Sequence, residues 1–326
     1  MLYDRFQRVH NYLRLSLTDA CNFRCTYCLP DENTVFSPSA HLMQTDEIIA
    51  LAQRFIQLGV TKIRLTGGEP LVRKEFKTIV QRLSGLGAQL SITTNGMLLH
   101  QHIDTLWEAG MRSLNISLDT LQPARFMALT KRDAFNQVYR NIVMALERGF
   151  KVKLNVVVMK GINHMEVPDF VALTKDWNIG IRFIEFMPFD RNQWKDALVF
   201  TEAEILELLA QQFSFTALTK EAHATARDFR VEGHQGNFAI ISTMTHPFCG
   251  DCNRMRLTAD GKLKNCLFSK SEVDVLSAHR RGEDIEPLIK QSLLEKEAAL
   301  GGQLLPDFHA IEPDRIQNRA MIAIGG

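Results

Sequence analysis

Between residues 12 and 186 one unit recurs: a short stretch in which apolar and polar side chains alternate, then a longer one with apolar residues three and four apart. Alternation over 12–17, 62–65, 89–93, 113–118, 152–158 and 181–186 predicts strands. Helical spacing predicts helices from Thr45 to about Gly59 and near 75–86, 100–109, 136–148 and 166–177. The first helix shows how such an element is specified. Thr45 is its N-cap, Asp46 and Glu47 fill the first turn, Ile48, Ile49, Ala52, Phe55 and Ile56 form one apolar face, and Gly59 stops it. Six strand-helix repeats in one direction imply an α/β fold with a parallel sheet covered by helices, either an open doubly wound sheet or a barrel.

From about Thr201 the pattern changes. A helix is predicted over 202–212, then a weakly patterned stretch to Gly236, a strand over 238–242 and a helix over 284–300. A second region is therefore expected to begin within 200–235, and the division is set at 1–220 and 221–326. Residues 1–11 read as a polar arm without an assigned part.

Polar motifs sit where the strands end. Thr66-Gly67-Gly68-Glu69-Pro70 follows the second strand and Thr93-Thr94-Asn95-Gly96 the third; Ser117 and Asp119 end the fourth, and Met187-Pro188 follows the sixth. Any one of these alone is an ordinary turn. In succession they mark the edge at which parallel α/β folds place ligands, because strand C-termini and helix N-termini converge there.

The loop after the first strand reads Cys21-Asn22-Phe23-Arg24-Cys25-Thr26-Tyr27-Cys28. Three thiols at this spacing can all turn toward one cubane of iron and sulfide, one ligand short of the usual four, which leaves an iron open for chemistry. Spacing alone leaves a zinc loop or three core cysteines in contention. A second group, Cys249-Gly250-Asp251-Cys252 and then Cys266, again offers three thiols. Taken alone it suggests zinc, completed by His246 or His234.

Composition narrows the classes. The chain has 326 residues, 45% hydrophobic and 23% charged, with a formal net charge of +1. That balance gives no general pull toward nucleic acid or an anionic membrane, so any anion must be met by locally gathered cations. No signal pattern and no apolar run near the roughly 18 to 20 residues of a membrane span is present, so a cytoplasmic location is expected. In such a setting the six cysteines, grouped in threes, point to metal or cluster ligation instead of disulfides.

The run Leu13-Arg14-Leu15-Ser16-Leu17-Thr18-Asp19-Ala20 leading into the three cysteines resembles the radical S-adenosylmethionine (SAM) superfamily. More closely, it resembles the GTP 3',8-cyclase family of molybdenum cofactor biosynthesis, over nearly the whole chain from about Tyr12 to Gly326. The resemblance implies a curved, incomplete (β/α)6 TIM-like barrel whose open side is closed by a smaller C-terminal region. It implies two [4Fe–4S] clusters, one on Cys21, Cys25 and Cys28 and one, offered to substrate, on Cys249, Cys252 and Cys266. Gly67, Gly68 and Glu69 match positions that hold the amino end of SAM; Tyr27, Asn95, Ser117 and Met187 match further SAM contacts. Arg14, Arg64, Thr93, Lys153, Arg254, Met255 and Arg256 match GTP-binding positions, and Arg254 and Arg256 are also the catalytic candidates. The implied reaction is that of a lyase: GTP is converted to (8S)-3',8-cyclo-7,8-dihydroguanosine 5'-triphosphate by loss of the 3' hydrogen to a 5'-deoxyadenosyl radical and C3'–C8 bond formation. Implied partners are an electron donor and a downstream cyclic pyranopterin monophosphate synthase, and a homodimer is compatible with the family. A double-glycine tail, Gly325 and Gly326, is expected to reach the active site. Two rivals fit less well: a peptide-modifying radical enzyme would want more cysteines and a peptide-recognition segment, and a nucleic-acid-binding regulator would want a basic face.

Overall fold

The computed structural model describes residues 1–28, 34–305 and 307–325. The repeating unit yields β1 (Tyr12–Ser16), α1 (Thr45–Gln57), β2 (Lys62–Thr66), α2 (Phe76–Ser84), β3 (Gln89–Thr94), α3 (Leu99–Glu108), β4 (Ser113–Ser117), α4 (Pro123–Thr130), α5 (Phe135–Glu147), β5 (Lys151–Val158), α6 (Val167–Ala172) and β6 (Gly180–Glu185). After it come α7 (Glu202–Ala210), β7 (Phe215–Ala217), β8 (Arg227–Val231), β9 (Asn237–Ile241), β10 (Arg254–Leu257), β11 (Lys262–Lys264), β12 (Val273–Asp274), α8 (Val275–Arg280), α9 (Glu286–Leu294) and α10 (Met321–Ile324).

All these strands form one sheet in the order β12-β11-β10-β1-β2-β3-β4-β5-β6-β9-β8-β7. From β10 to β9 every neighbour is parallel, and an antiparallel ribbon finishes each edge. The C-terminal strands thus extend both sides of the six-strand unit, and the sheet curves without closing on itself, as the expected incomplete barrel requires. Period two sorts each strand. Leu13, Leu15, Ile63, Leu65, Leu114, Ile116, Val152 and Leu154 face the helices and are buried, while the polar positions between them face the concave side.

Helix boundaries depart from the pattern for local reasons. Gln44, not Thr45, caps α1: its backbone N–H donates to Glu47 Oε2 at 2.7 Å in a capping box. The predicted 166–177 helix is only Val167–Ala172, because the Thr174 hydroxyl turns back to the Val171 carbonyl at 2.7 Å and ends the regular ladder. The predicted 284–300 helix stops at Leu294, after which the chain folds inward toward Cys249 and Cys252. The weakly patterned 213–236 stretch holds the short edge pair β7 and β8, fastened by Phe229 stacking on Phe238 with ring centroids 5.1 Å apart.

The N-terminal arm is anchored in the core by three of its residues. Leu2, Asp4 and His10 are buried, Asp4 accepts from Arg8 Nε at 2.6 Å and from His10 Nε2 at 3.0 Å, and Arg8 Nη1 reaches the Cys249 carbonyl at 2.7 Å. Among the described residues no helix is long and apolar enough to cross a membrane.

Candidate active site

The concave face of the sheet encloses a cavity of about 1100 Å³, and all six cysteines line it. All six are free thiols, so neither triad is locked in a disulfide. The first triad sits at the end of β1, where Gly68 N–H donates to the Thr18 carbonyl at 2.7 Å and Glu69 N–H to the Ala20 carbonyl at 2.8 Å. The Gly-Gly-Glu-Pro loop is thereby stitched to the cysteine loop. Burial pushes the thiols up, Cys21 to about 11 and Cys28 to about 12, with neighbouring acidic groups adding to burial. As thiolates they would need a cationic centre among them.

Glu69 is buried and its carboxylate knits three elements. Oε1 accepts from Leu71 N at 3.0 Å and Thr94 Oγ1 at 2.7 Å, and Oε2 accepts from Asn95 N at 2.6 Å. Three of about four acceptor sites are filled, leaving one toward the cavity. Burial raises this carboxyl to about 7 against those hydrogen bonds. Asn95 Nδ2 in turn lies 3.8 Å from Cys21 Sγ and donates to Asn22 Oδ1 at 2.7 Å. Tyr27 donates to Asp119 Oδ2 at 2.5 Å, and Asp119 Oδ1 accepts from Val157 N at 2.8 Å, so the aromatic ring between two cysteines is tied to the ends of β4 and β5. Ser117 and Met187 line the same end of the cavity.

Strand register gathers the cations. Arg256, Arg14 and Arg64 stand side by side on β10, β1 and β2. Lys153 on β5 and Arg182 on β6 face them, and burial together with Arg182 lowers Lys153 to about 8. Burial, then Arg254, lowers Arg256 to about 10; burial, then Arg256, pushes Arg14 down as well. Arg64 donates to the Tyr12 hydroxyl and, at 3.3 Å, to Thr93 Oγ1. Cations that depress one another in a half-enclosed cavity are arranged for an anion of several charges.

Period two on β10 turns Arg254 and Arg256 into the cavity and the Met255 side chain the opposite way, buried in the core, so that side chain does not line the cavity. Missed in the sequence were Lys62 and Arg182, which line the cavity two residues from Arg64 and Gly180 and belong to the same alternation. Tyr12, Asp119 and Lys296 were also missed in their roles. His246 pairs with Glu202 at 3.2 Å and His234 Nδ1 with the Thr174 hydroxyl at 2.8 Å, so neither completes the second triad.

The tail docks into this site. Gly325 accepts from Arg256 Nη1, Ile324 is fully buried, and the Ile322 N–H meets the Cys28 sulfur. Gly325 has φ +85, and a Cβ there would lie 2.5 Å from Thr66 Oγ1 and closer still to Ser16 Oγ, so only glycine fits. Gly326 lies outside the described residues. Deleting Gly325 and Gly326 removes a charge-assisted hydrogen bond worth about 1.5 to 3 kcal/mol, so product formation is expected to fall on the order of tenfold or more with the circular dichroism spectrum unchanged. Equal turnover by the truncated chain would show that the contact is idle.

Both donor sets fit clusters. Three thiols reach the cavity from each triad, and N–H groups point at their sulfurs: Phe23 N at 3.4 Å from Cys21 Sγ and Leu300 N at 3.4 Å from Cys249 Sγ. Among the described residues no group of His, Cys, Asp or Glu converges on a single metal ion.

A family model described as the Radical SAM superfamily matches residues 15–174, and one described as Molybdenum Cofactor Synthesis C matches residues 179–301. The chain is 45% identical over 333 residues to "GTP 3',8-cyclase, mitochondrial" of Arabidopsis thaliana, covering 100% of this chain and 84% of that one. It is 42% identical to "GTP 3',8-cyclase" of Rhodopirellula baltica, covering 100% and 92%, and 44% identical to "Molybdenum cofactor biosynthesis protein 1" of Mus musculus, of which it spans about half, 51%. Among solved structures, Streptococcus suis SuiB bound to S-adenosylmethionine aligns with TM-score 0.61 at 15% identity over 89% of this chain and 69% of that one, a likeness of fold. With its thiol triad at the mouth of a partial barrel and its C-terminal half matched in turn, the chain belongs to the radical SAM superfamily and, within it, to the GTP 3',8-cyclase family of molybdenum cofactor biosynthesis.

Proposed function

We propose that this chain converts GTP to (8S)-3',8-cyclo-7,8-dihydroguanosine 5'-triphosphate, using SAM and two [4Fe–4S] clusters. The observation that carries the reading is the crowd of half-buried to buried cations on β10, β1, β2, β5 and β6 in the same cavity as both thiol triads. Residues 1–220 would then house the radical-forming site, and 221–326 the second cluster and the tail.

Cys21, Cys25 and Cys28 would hold the first cluster, with Gly67, Gly68, Glu69, Asn95, Tyr27, Ser117 and Met187 around the SAM site. When bound, SAM and the reduced cluster supply a 5'-deoxyadenosyl radical by one-electron cleavage of the sulfonium C–S bond. The chain's own part is placement. The Glu69 lone pair toward the cavity complements an ammonium, and the Tyr27–Asp119 hydrogen bond fixes the ring next to the cluster loop. Arg14, Lys62, Arg64, Lys153 and Arg182 meet the triphosphate, which removes their mutual repulsion. Arg254 and Arg256 face the base held near Cys249, Cys252 and Cys266, where guanidinium groups stabilise negative charge as C3' joins C8. An electron donor must complete the reduction of the base.

Anaerobic reconstitution followed by iron and sulfide analysis should give about eight irons per chain, four for each cluster. Adding SAM, GTP and a reductant should then yield 5'-deoxyadenosine and the cyclised nucleotide together. Full cluster loading without cyclised nucleotide, while 5'-deoxyadenosine accumulates, would overturn the assignment of GTP.

A further inference from the structure

Lys296 is 2% exposed, yet it forms no ion pair with a carboxylate among the described residues. Its Nζ lies 3.5 Å from Cys252 Sγ and donates to the Arg254 carbonyl at 3.1 Å. A buried ammonium is costly unless a counter-charge meets it. The sulfur that its Nζ meets belongs to Cys252, a member of the second triad. The segment that carries it is built for the purpose. Helix α9 ends at Leu294, the next turn brings Lys296 inward, and Leu300 N–H follows at 3.4 Å from Cys249 Sγ. The N-terminal arm clamps this turn from outside: Arg8 binds the carbonyls of Glu297, Ala298 and Cys249 at 3.0, 2.8 and 2.7 Å, and is itself held by buried Asp4. At the first triad, among the described residues, the groups that meet Cys21 Sγ are neutral ones, Phe23 N at 3.4 Å and Asn95 Nδ2 at 3.8 Å.

We propose that Lys296 is a positioning residue for the second cluster, donating a charged N–H to Cys252 Sγ and thereby setting that cluster's reduction potential above the value a neutral neighbour would allow. The inference rests on the reading of Cys249, Cys252 and Cys266 as cluster ligands. Net charge and hydrogen bonds to sulfur are among the levers that set iron-sulfur potentials, and a cation stabilises the more negative, reduced state.

The test uses the full chain with Cys21, Cys25 and Cys28 all changed to Ala, so that any iron-sulfur signal belongs to the second site. Iron and sulfide are measured after anaerobic reconstitution, and the midpoint potential is read by a redox titration followed by electron paramagnetic resonance. Lys296→Met should load comparable iron while its reduction equilibrium constant falls about tenfold, a shift of about 59 mV to more negative potential for one electron. Lys296→Arg should restore most of the shift. Lys296→Gln, neutral but still a donor, is the second variant and is read in the same way if the Met variant takes up too little iron to titrate. An unchanged potential in a loaded neutral variant overturns the proposal. Failure of the unsubstituted Lys296 background to bind iron overturns the second-cluster reading, and the inference with it, a result distinct from a loaded cluster with an unmoved potential.

Discussion

Gly68→Ala is expected to lower 5'-deoxyadenosine formation by about a hundredfold while the chain stays folded and still binds GTP. A Cβ at Gly68 would stand 2.5 Å from the Asp19 carbonyl oxygen and closer still to that of Ala20, both backbone atoms with no rotamer to escape into. Gly67 is in the same position: its φ is +145 and a Cβ would overlap the Thr18 carbonyl. The two loops are hydrogen-bonded to each other through Gly68 N and Glu69 N, so relief requires the loops to part. Parting them moves Cys21 and Glu69 relative to one another, and a misplacement on the order of 1 Å at a reacting site costs about a hundredfold in rate. GTP binding is spared because its cations stand on the strands and not in these two loops: Arg14 and Arg64 lie within β1 and β2, and Lys153 and Arg182 on β5 and β6. Gly85→Ala is the control. Gly85 has ordinary helical geometry and a Cβ there meets nothing nearer than 3.5 Å, so its rate should match the unsubstituted chain. Equal deoxyadenosine yields from Gly68→Ala and Gly85→Ala would refute the idea that close backbone approach at Gly68 sets the SAM site.

The difference between what could and could not be read from the chain lies in locality. Arg14 between Leu13 and Leu15, and Arg64 between Ile63 and Leu65, announce a strand with one face in the core and the other polar, and that local signal correctly placed both in the cavity. The same rule applied strictly would have added Lys62 and Arg182 and excluded the Met255 side chain, because each follows from counting by two. That Arg256 stands next to Arg14 could not be counted in this way. It depends on β10, 242 residues further along, pairing in parallel with β1 in the register Arg14 to Arg256. Residues 1–11 looked inert for a related reason. Asp4, Arg8 and His10 are ordinary polar letters until folding brings them against the turn after α9, where they hold Lys296 and Leu300 to the second triad. Glu69 shows a third case. Its type and position were legible, but its commitment to Leu71, Thr94 and Asn95 needed the loops to be folded together.

Replacing both Arg254 and Arg256 by lysine is expected to leave GTP binding nearly intact and to reduce the cyclised product by about a hundredfold or more. The charge count of the cavity is unchanged, so the long-range attraction for the triphosphate persists. What disappears is geometry. A guanidinium offers five N–H donors in a fixed plane, and Arg256 spends one of them on the Gly325 carbonyl while others remain for the substrate. A lysine ammonium has three donors on a flexible stem; it can hold the tail or reach the base, and it cannot present a planar fork to either. Removing one preorganised donor from a site of developing negative charge costs on the order of a hundred- to a thousandfold. Arg254 is further constrained by Phe248, whose ring centroid lies 5.0 Å from its guanidinium carbon, a cation–π contact that an ammonium reproduces less well. Equilibrium GTP binding, 5'-deoxyadenosine and cyclised nucleotide should be measured on the same preparation. The expected pattern is retained binding, continued deoxyadenosine formation and lost cyclisation, which separates ring closure from radical formation. An unchanged yield of cyclised nucleotide would remove both arginines from the chemistry and leave them as triphosphate anchors, and equal loss of all three quantities would assign them to the architecture of the cavity.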